Sequence, residues 1–152
     1  MKVAIASDHA GYKMKEVIKE FLNQKGFEIE DFGSFSEESV DYPDTIKLAS
    51  KAVSKGEADR GVVLCSSGIG ASIVANKIKG IRAALCLDEY SAEYSRRHND
   101  ANVLALAAKR TPEKLMLKIL EIWLSTDFDG GRHQRRIEKI TEIERGETGI
   151  EN

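Results

Sequence analysis

Short apolar runs alternate along this chain with stretches whose apolar residues recur every three to four positions. KVAIA (residues 2–6), FEIEDFG (27–33), GVVLC (61–65), IRAALCL (81–87) and VLALA (103–107) have the length and side-chain character of strands. After the first, Met14, Val17, Ile18, Phe21 and Leu22 follow at i, i+3, i+4, i+7 and i+8, the stripe of an amphipathic helix that Gly26 ends. Pro43, in DYPD, suits the first turn of a second helix, with Ile46, Ala49 and Val53 as its buried stripe and Gly56 as its stop. ASIVANKIK (71–79) reads as a third helix, Asp88 caps a fourth over EYSAEYSRR, and Thr111 and Pro112 open a fifth that carries Leu115, Ile119, Ile122 and Trp123.

Five strands, each followed by a helix and with no hairpin turn between them, predict an α/β three-layer sandwich around a five-stranded parallel sheet. In such a sheet, ligands gather beyond the carboxyl ends of the strands. The polar clusters SDH, CSSGIG and HNDAN are expected to meet there. A further C-terminal helix over about residues 132–144 has only Ile137, Ile140 and Ile143 as an apolar stripe. Its first turn holds Arg132, His133, Arg135 and Arg136, although the helix dipole is already positive at that end. Either an anion is bound there or the turn is a solvated basic patch. The 152 residues form one domain, 1–152, with a frayed tail from about residue 145 to 152.

Charge and cysteine content narrow the function. A formal charge of -2 and a pI near 6.0 argue against a general nucleic-acid binder. Cys65 and Cys86 form no C-x-x-C pair, and with three scattered histidines they offer no metal site at useful spacing. The first residues hold only a five-residue apolar run, too short for a signal peptide or a span. A soluble, cytoplasmic protein with reduced thiols and no membrane or nucleic-acid partner is expected.

The chemistry concentrates at GVVLCSSGIGAS (61–72), which reads as strand, loop and helix start. Gly68 and Gly70 let backbone approach an anion, and free amides of a helix start would face it. Cys65 beside them is either a base or nucleophile, or a small buried hydrophobe. With Asp8, His9, His98 and the basic turn, these groups suit a phosphorylated substrate and proton transfer next to a carbonyl. Three rivals fit less well. A dinucleotide fold would use Gly68, Gly70 and the ribose-binding acid Asp88, but the third glycine position is Ile73. A cysteine phosphatase needs an arginine soon after the cysteine, and residues 66–72 have none. A phosphocysteine carrier of sugar transport has a similar loop, but after its first strand rather than its third.

Taken in order, SDHAG, DYPD, C-x-x-G-x-G, ANK-x-x-GIRA, HNDAN and GGRHQRR resemble the ribose-5-phosphate isomerase B family, which also contains galactose-6-phosphate and allose-6-phosphate isomerases. The resemblance runs from Val3 to about Glu144. It implies a Rossmann-like sheet order beginning 2-1-3, an enediolate mechanism without metal or organic cofactor, and a homodimer or pair of dimers with shared sites. By position it implies Cys65 as the base, since Ala71 stands where a second branch of the family has an acid. Ser67, with the amides of Ser66, Gly68, Ile69 and Gly70, would stabilise the enediolate oxygen. His98 would open the sugar ring, Asp8 and Asn99 would hold hydroxyls, and Tyr42 would close the site. His9, Arg132 and Arg136 would hold the phosphate, the arginines reaching into the neighbouring subunit. Ser66 replaces a common glycine and Lys109 a common arginine near the substrate, with Arg110 next to it. Tyr90, Tyr94 and Trp123 are read as packing and His133 as a bystander. A hexose-6-phosphate isomerase, or a non-catalytic sugar-phosphate or nucleotide-binding module, stands as the alternative.

Overall fold

The computed structural model describes residues 1–146. Strands β1 (Lys2–Ser7), β2 (Glu28–Asp31), β3 (Arg60–Cys65), β4 (Ala83–Leu85) and β5 (Val103–Ala107) make one parallel sheet in the order β2-β1-β3-β5-β4. Helices α1 (Tyr12–Gln24), α2 (Tyr42–Ser54), α3 (Ile69–Asn76), α4 (Glu89–Arg97), α5 (Glu113–Ser125) and α6 (Arg132–Arg145) complete the described chain. The order reverses between β1 and β3, the switch point at which such sheets open a crevice.

Successive strand residues point to opposite faces, so the continuous apolar runs fill two cores. Val3, Ile5, Val62, Leu64, Leu104 and Leu106 pack with Ile18, Leu22, Met116, Ile119 and Trp123 of α1 and α5. Ala4, Ala6, Val63, Cys65 and Ala105 pack on the other face with Ile46, Ala49, Ala71 and Ala75 of α2 and α3. The alanine-rich second face admits α2 and α3 at close range, and Cys65 lies at its carboxyl end.

Several element boundaries differ from the sequence expectation, three of them where a side chain takes over backbone bonding. Helix α3 stops at Asn76, not residue 79, and the Asn76 carboxamide accepts from the Ala83 amide (2.8 Å) and donates to the Ala83 carbonyl (3.0 Å). Strand β4 accordingly begins at Ala83 and is only three residues long. Strand β2 ends at Asp31, whose carboxylate accepts from the Gly33 amide at 2.9 Å and turns the chain. Helix α6 continues to Arg145, which the expected frayed segment included, and ends on Gly146 in the left-handed region at φ 70°; the rest of that segment, 147–152, lies outside the described residues.

Asp31 also receives the fully buried Lys15, at 2.6 and 2.7 Å, and Lys19 at 2.9 Å. Lys15 donates in addition to the Ser34 carbonyl (2.6 Å), tying α1 to the loop after β2. Burial pushes the Lys15 ammonium below its ordinary value although Asp31 opposes this. Burial pushes the Asp31 carboxyl up, but hydrogen bonds from Lys15, Lys19 and the Gly33 amide outweigh it and hold it below the ordinary carboxylate value. Stability from a depressed carboxyl is present above the unfolded value of about 3.9 and is lost as pH falls through the folded one. Asp31→Asn is therefore expected to lower stability at pH 7 by about 3 kcal/mol, the cost of leaving a buried charge unpaired. It should also flatten the loss of stability below about pH 5. Urea titrations at pH 7, 5 and 3 check both, and an acid limb as steep as wild type would exonerate Asp31.

Candidate active site

At the carboxyl edge, the ladder between β1 and β3 runs one step past β1, with the Asp8 amide donating to the Leu64 carbonyl at 3.3 Å. This sets Asp8 beside Cys65, the last residue of β3. The two are buried, 7% and 5% exposed. Asp8 Oδ1 accepts from the Gly11 amide at 3.1 Å and caps the single 3₁₀ turn His9–Gly11. His9 Nδ1 lies 3.1 Å from the Val40 nitrogen and 3.2 Å from its oxygen, which pins the loop before Tyr42 over this edge.

The cysteine loop is fixed from two sides. The Cys65 and Ser66 carbonyls accept from the Ala108 and Lys109 amides at 2.9 and 3.0 Å, so the chain leaving β5 brings Lys109 alongside. Gly68 then turns the backbone at φ 74°; a Cβ there would lie 2.5 Å from Leu85 Cδ1 and 2.9 Å from the Leu106 carbonyl carbon. Only glycine fits. At Gly70 a Cβ would lie 2.8 Å from the Tyr42 ring, so its absence lets Tyr42 close over the loop. Ser67 Oγ accepts from the Ile69 amide at 3.3 Å, while the Gly70 and Ala71 amides are those a helix start leaves without intrahelical partners. Asp8, Tyr42, Cys65, Ser66, Ser67, Ile69, Gly70 and Ile73 line a cleft of about 390 Å³. Ile73 was not expected there; its spacing of four from Ile69 on α3 is the signal that places both on one face.

The remaining candidates lie elsewhere. The Gly61 amide, at the start of β3, donates to Asn102 at the end of HNDAN. HNDAN thus lies at the amino edge, about 13 Å of strand from Cys65 at ~3.3 Å per residue. The expectation that it joins the other two clusters at the carboxyl edge is corrected, because a loop entering a parallel strand must lie at that strand's amino end. His98, half-buried, meets Tyr94 edge-on at 4.8 Å and stacks on His133 at 4.1 Å with an interplanar angle of 11°. Tyr94 in turn stacks on Tyr90 at 4.5 Å. Tyr90, 69% exposed, is therefore part of an aromatic column leading to His98 and not core packing, whereas Trp123 is fully buried as expected. Asn99 is exposed next to His98, and Arg132 and Arg136 are exposed on the helix whose His133 stacks on it.

Two of the three histidines come together: one ligand atom each of His98, Asp129 and His133 lies within 4.8 Å of the others. A cation fits this cluster poorly. Near-parallel stacked imidazoles direct their in-plane lone pairs side by side rather than to one point, and Asp129 is engaged by Arg97 Nε at 3.2 Å. Burial, then His98, Arg132 and Arg136, push the His133 imidazole below its ordinary value.

The family model described as Ribose/Galactose Isomerase matches residues 3–140. The chain belongs to that family. It is 44% identical over 143 residues to ribose-5-phosphate isomerase B of Escherichia coli strain K12, covering 94% of this chain and 96% of that one. The ribose-5-phosphate isomerase B structure from Clostridium thermocellum superposes with a TM-score of 0.95 at 50% identity, over 97% of this chain and all of the other (100%). The enzyme from Mycoplasma genitalium, solved with bound ribulose-5-phosphate, has a TM-score of 0.91 at 40% identity, over 95% and 96%. The family's sheet thus begins 2-1-3 here as the resemblance implied. No helix among the described residues is long and apolar enough to cross a membrane.

Proposed function

We propose that this protein is an aldose-ketose isomerase that interconverts ribose 5-phosphate and ribulose 5-phosphate, with Cys65 as the base. The observation that carries this reading is Cys65 itself, buried at the end of β3 in a cleft it shares with Asp8 and the opening turn of α3. The Cys65 thiolate takes the proton from C2 of the open-chain aldose and returns it to C1, while a proton passes from the C2 hydroxyl to the C1 oxygen. The formula is unchanged and no electrons leave the sugar, so the step consumes no cofactor. The negative oxygen of the enediolate is met by the Ser67 hydroxyl and the first amides of α3, each such donor contributing about 3 kcal/mol. Ser66 and Lys109 border the same loop and bear on sugar length.

Cys65 and His98 serve one site only if two copies share it. In a homodimer, or a pair of dimers, the amino edge of one copy would bring His98, Asn99, Arg132 and Arg136 to the cleft of the other, where His9 completes the phosphate contacts. The exposed apolar residues flank both edges: Ile69 and Ile73 on α3, Ile140 and Ile143 on α6, 46–55% exposed. A cytoplasmic setting accords with the two free thiols.

Turnover measured with EDTA present is expected to favour ribose 5-phosphate over allose 6-phosphate by about tenfold or more in kcat/KM, the scale on which a fitted pocket rejects an extra carbon. A preference for the hexose phosphate would reassign the substrate. No turnover of either by folded protein would favour a binding module.

A further inference from the structure

Arg82, from the ANK-x-x-GIRA motif, is given no role by the chemistry above, yet its side chain and backbone are both bound to the turn at the amino edge. Its Nε donates to the Asn99 carbonyl (2.9 Å) and its Nη2 to the Asp100 carbonyl (3.0 Å), with the Asp100 carboxylate at 3.6 Å. Its own amide donates to Asn102 Oδ1 at 2.8 Å, and its carbonyl accepts from the Asn102 amide at 3.0 Å. From the other side the buried Arg96 donates through Nη1 to Asp100 Oδ1 and to the Ala101 carbonyl, both at 2.7 Å. The carbonyls of Asn99, Asp100 and Ala101, three in succession, are thus held by two guanidinium forks. Between them Asp100 is the non-glycine residue of the described chain at positive φ, 45°, a conformation that surrounding contacts must impose. Asn99, in contrast, keeps its side-chain amide exposed and without a hydrogen bond among the described residues.

We propose that Arg82 is a positioning residue: it locks the turn that carries His98 and Asn99 so that both meet a second copy's cleft in one fixed geometry. The inference rests on the reading of His98 and Asn99 as substrate-contacting residues. A fork is required, because lysine cannot hold two successive carbonyls from one planar group. Displacing a contact by about 1 Å costs on the order of 100-fold in rate.

The test is a thermodynamic cycle on ribose 5-phosphate turnover, with Arg82→Met and Arg82→Lys each made in the wild type and in a background carrying both Asn99→Ala and His98→Asn, and with those two substitutions also made singly. Arg82→Met is expected to lower kcat/KM on the order of 100-fold, with Arg82→Lys recovering only a minor part. In the background lacking both Asn99 and His98 side chains the further loss should shrink to a few-fold, since both groups being positioned are then gone. Losses that simply multiply, full activity of Arg82→Lys, or a wild-type Arg82→Met would each overturn the proposal. Circular dichroism and melting separate misfolding from mispositioning; should Arg82→Met fail to fold, the Arg82→Lys arm decides alone. Unchanged turnover in both Asn99→Ala and His98→Asn would instead sink the site reading, and this inference with it.

Discussion

Cys65→Ala is expected to reduce kcat for ribose 5-phosphate by roughly 10³-fold, the middle of the range that a positioned acid or base contributes. KM should move by no more than a few-fold, because the sulfur acts on the carbon-bound proton and not on the phosphate or hydroxyls. The fold should tolerate the change. Cys65 stands on the sheet face already lined by Ala4, Ala6 and Ala105, where a small side chain is the rule. Exchange of solvent deuterium into C2 of the substrate offers a second readout that does not depend on product formation, and it should disappear with turnover. Retention of a tenth or more of wild-type kcat would remove Cys65 from the role of base. The cleft's other titratable side chains, Asp8 and Tyr42, would then be the next to test.

The second large effect concerns assembly. Cys65→Ala and Arg136→Ala proteins, each nearly inactive alone, are expected to regain activity when mixed and allowed to exchange subunits. In a twofold-symmetric dimer with shared sites, each mixed molecule carries one site bearing both substitutions and one bearing neither. Random exchange makes half the dimers mixed, so activity should climb to about a quarter of wild type. Proven exchange without recovery would mean that each cleft draws its arginine from its own chain. That outcome sits badly with the fold, which puts Arg136 near His98 and His133 at the opposite sheet edge from Cys65.

Much of this was legible beforehand. A strand buried on both faces is apolar throughout, and an amphipathic helix repeats every 3.6 residues, so KVAIA, GVVLC, VLALA and the helices between them were readable as letters. The C-x-x-G-x-G loop was readable for the same local reason, since a backbone at positive φ pressed against Leu85 and Leu106 leaves glycine alone at position 68. Boundaries set by side chains were not: Asn76 bonding to Ala83, and Asp31 bonding to Gly33 and Lys15, look like ordinary surface polar residues until the partner segment is in place. Lys15 is the clearest case, a lysine in an amphipathic helix that is wholly buried because an acid sixteen residues on reaches it.

By itself, then, the chain's pattern determined the α/β class, the parallel sheet and the loop that bears Cys65, because these rest on local periodicity and on glycines at fixed offsets, whereas the family was legible as a resemblance carried by six motifs in order. Only the tertiary structure decided which candidates share an edge. Asp8, His9, Tyr42, Lys109 and the cysteine loop converge, whereas His98, Asn99, Arg132 and Arg136 lie at the amino edge. The reason is directional: every strand of a parallel sheet runs the same way, so whether a motif precedes or follows its strand, a distinction of a few letters, sets which end of the molecule it occupies.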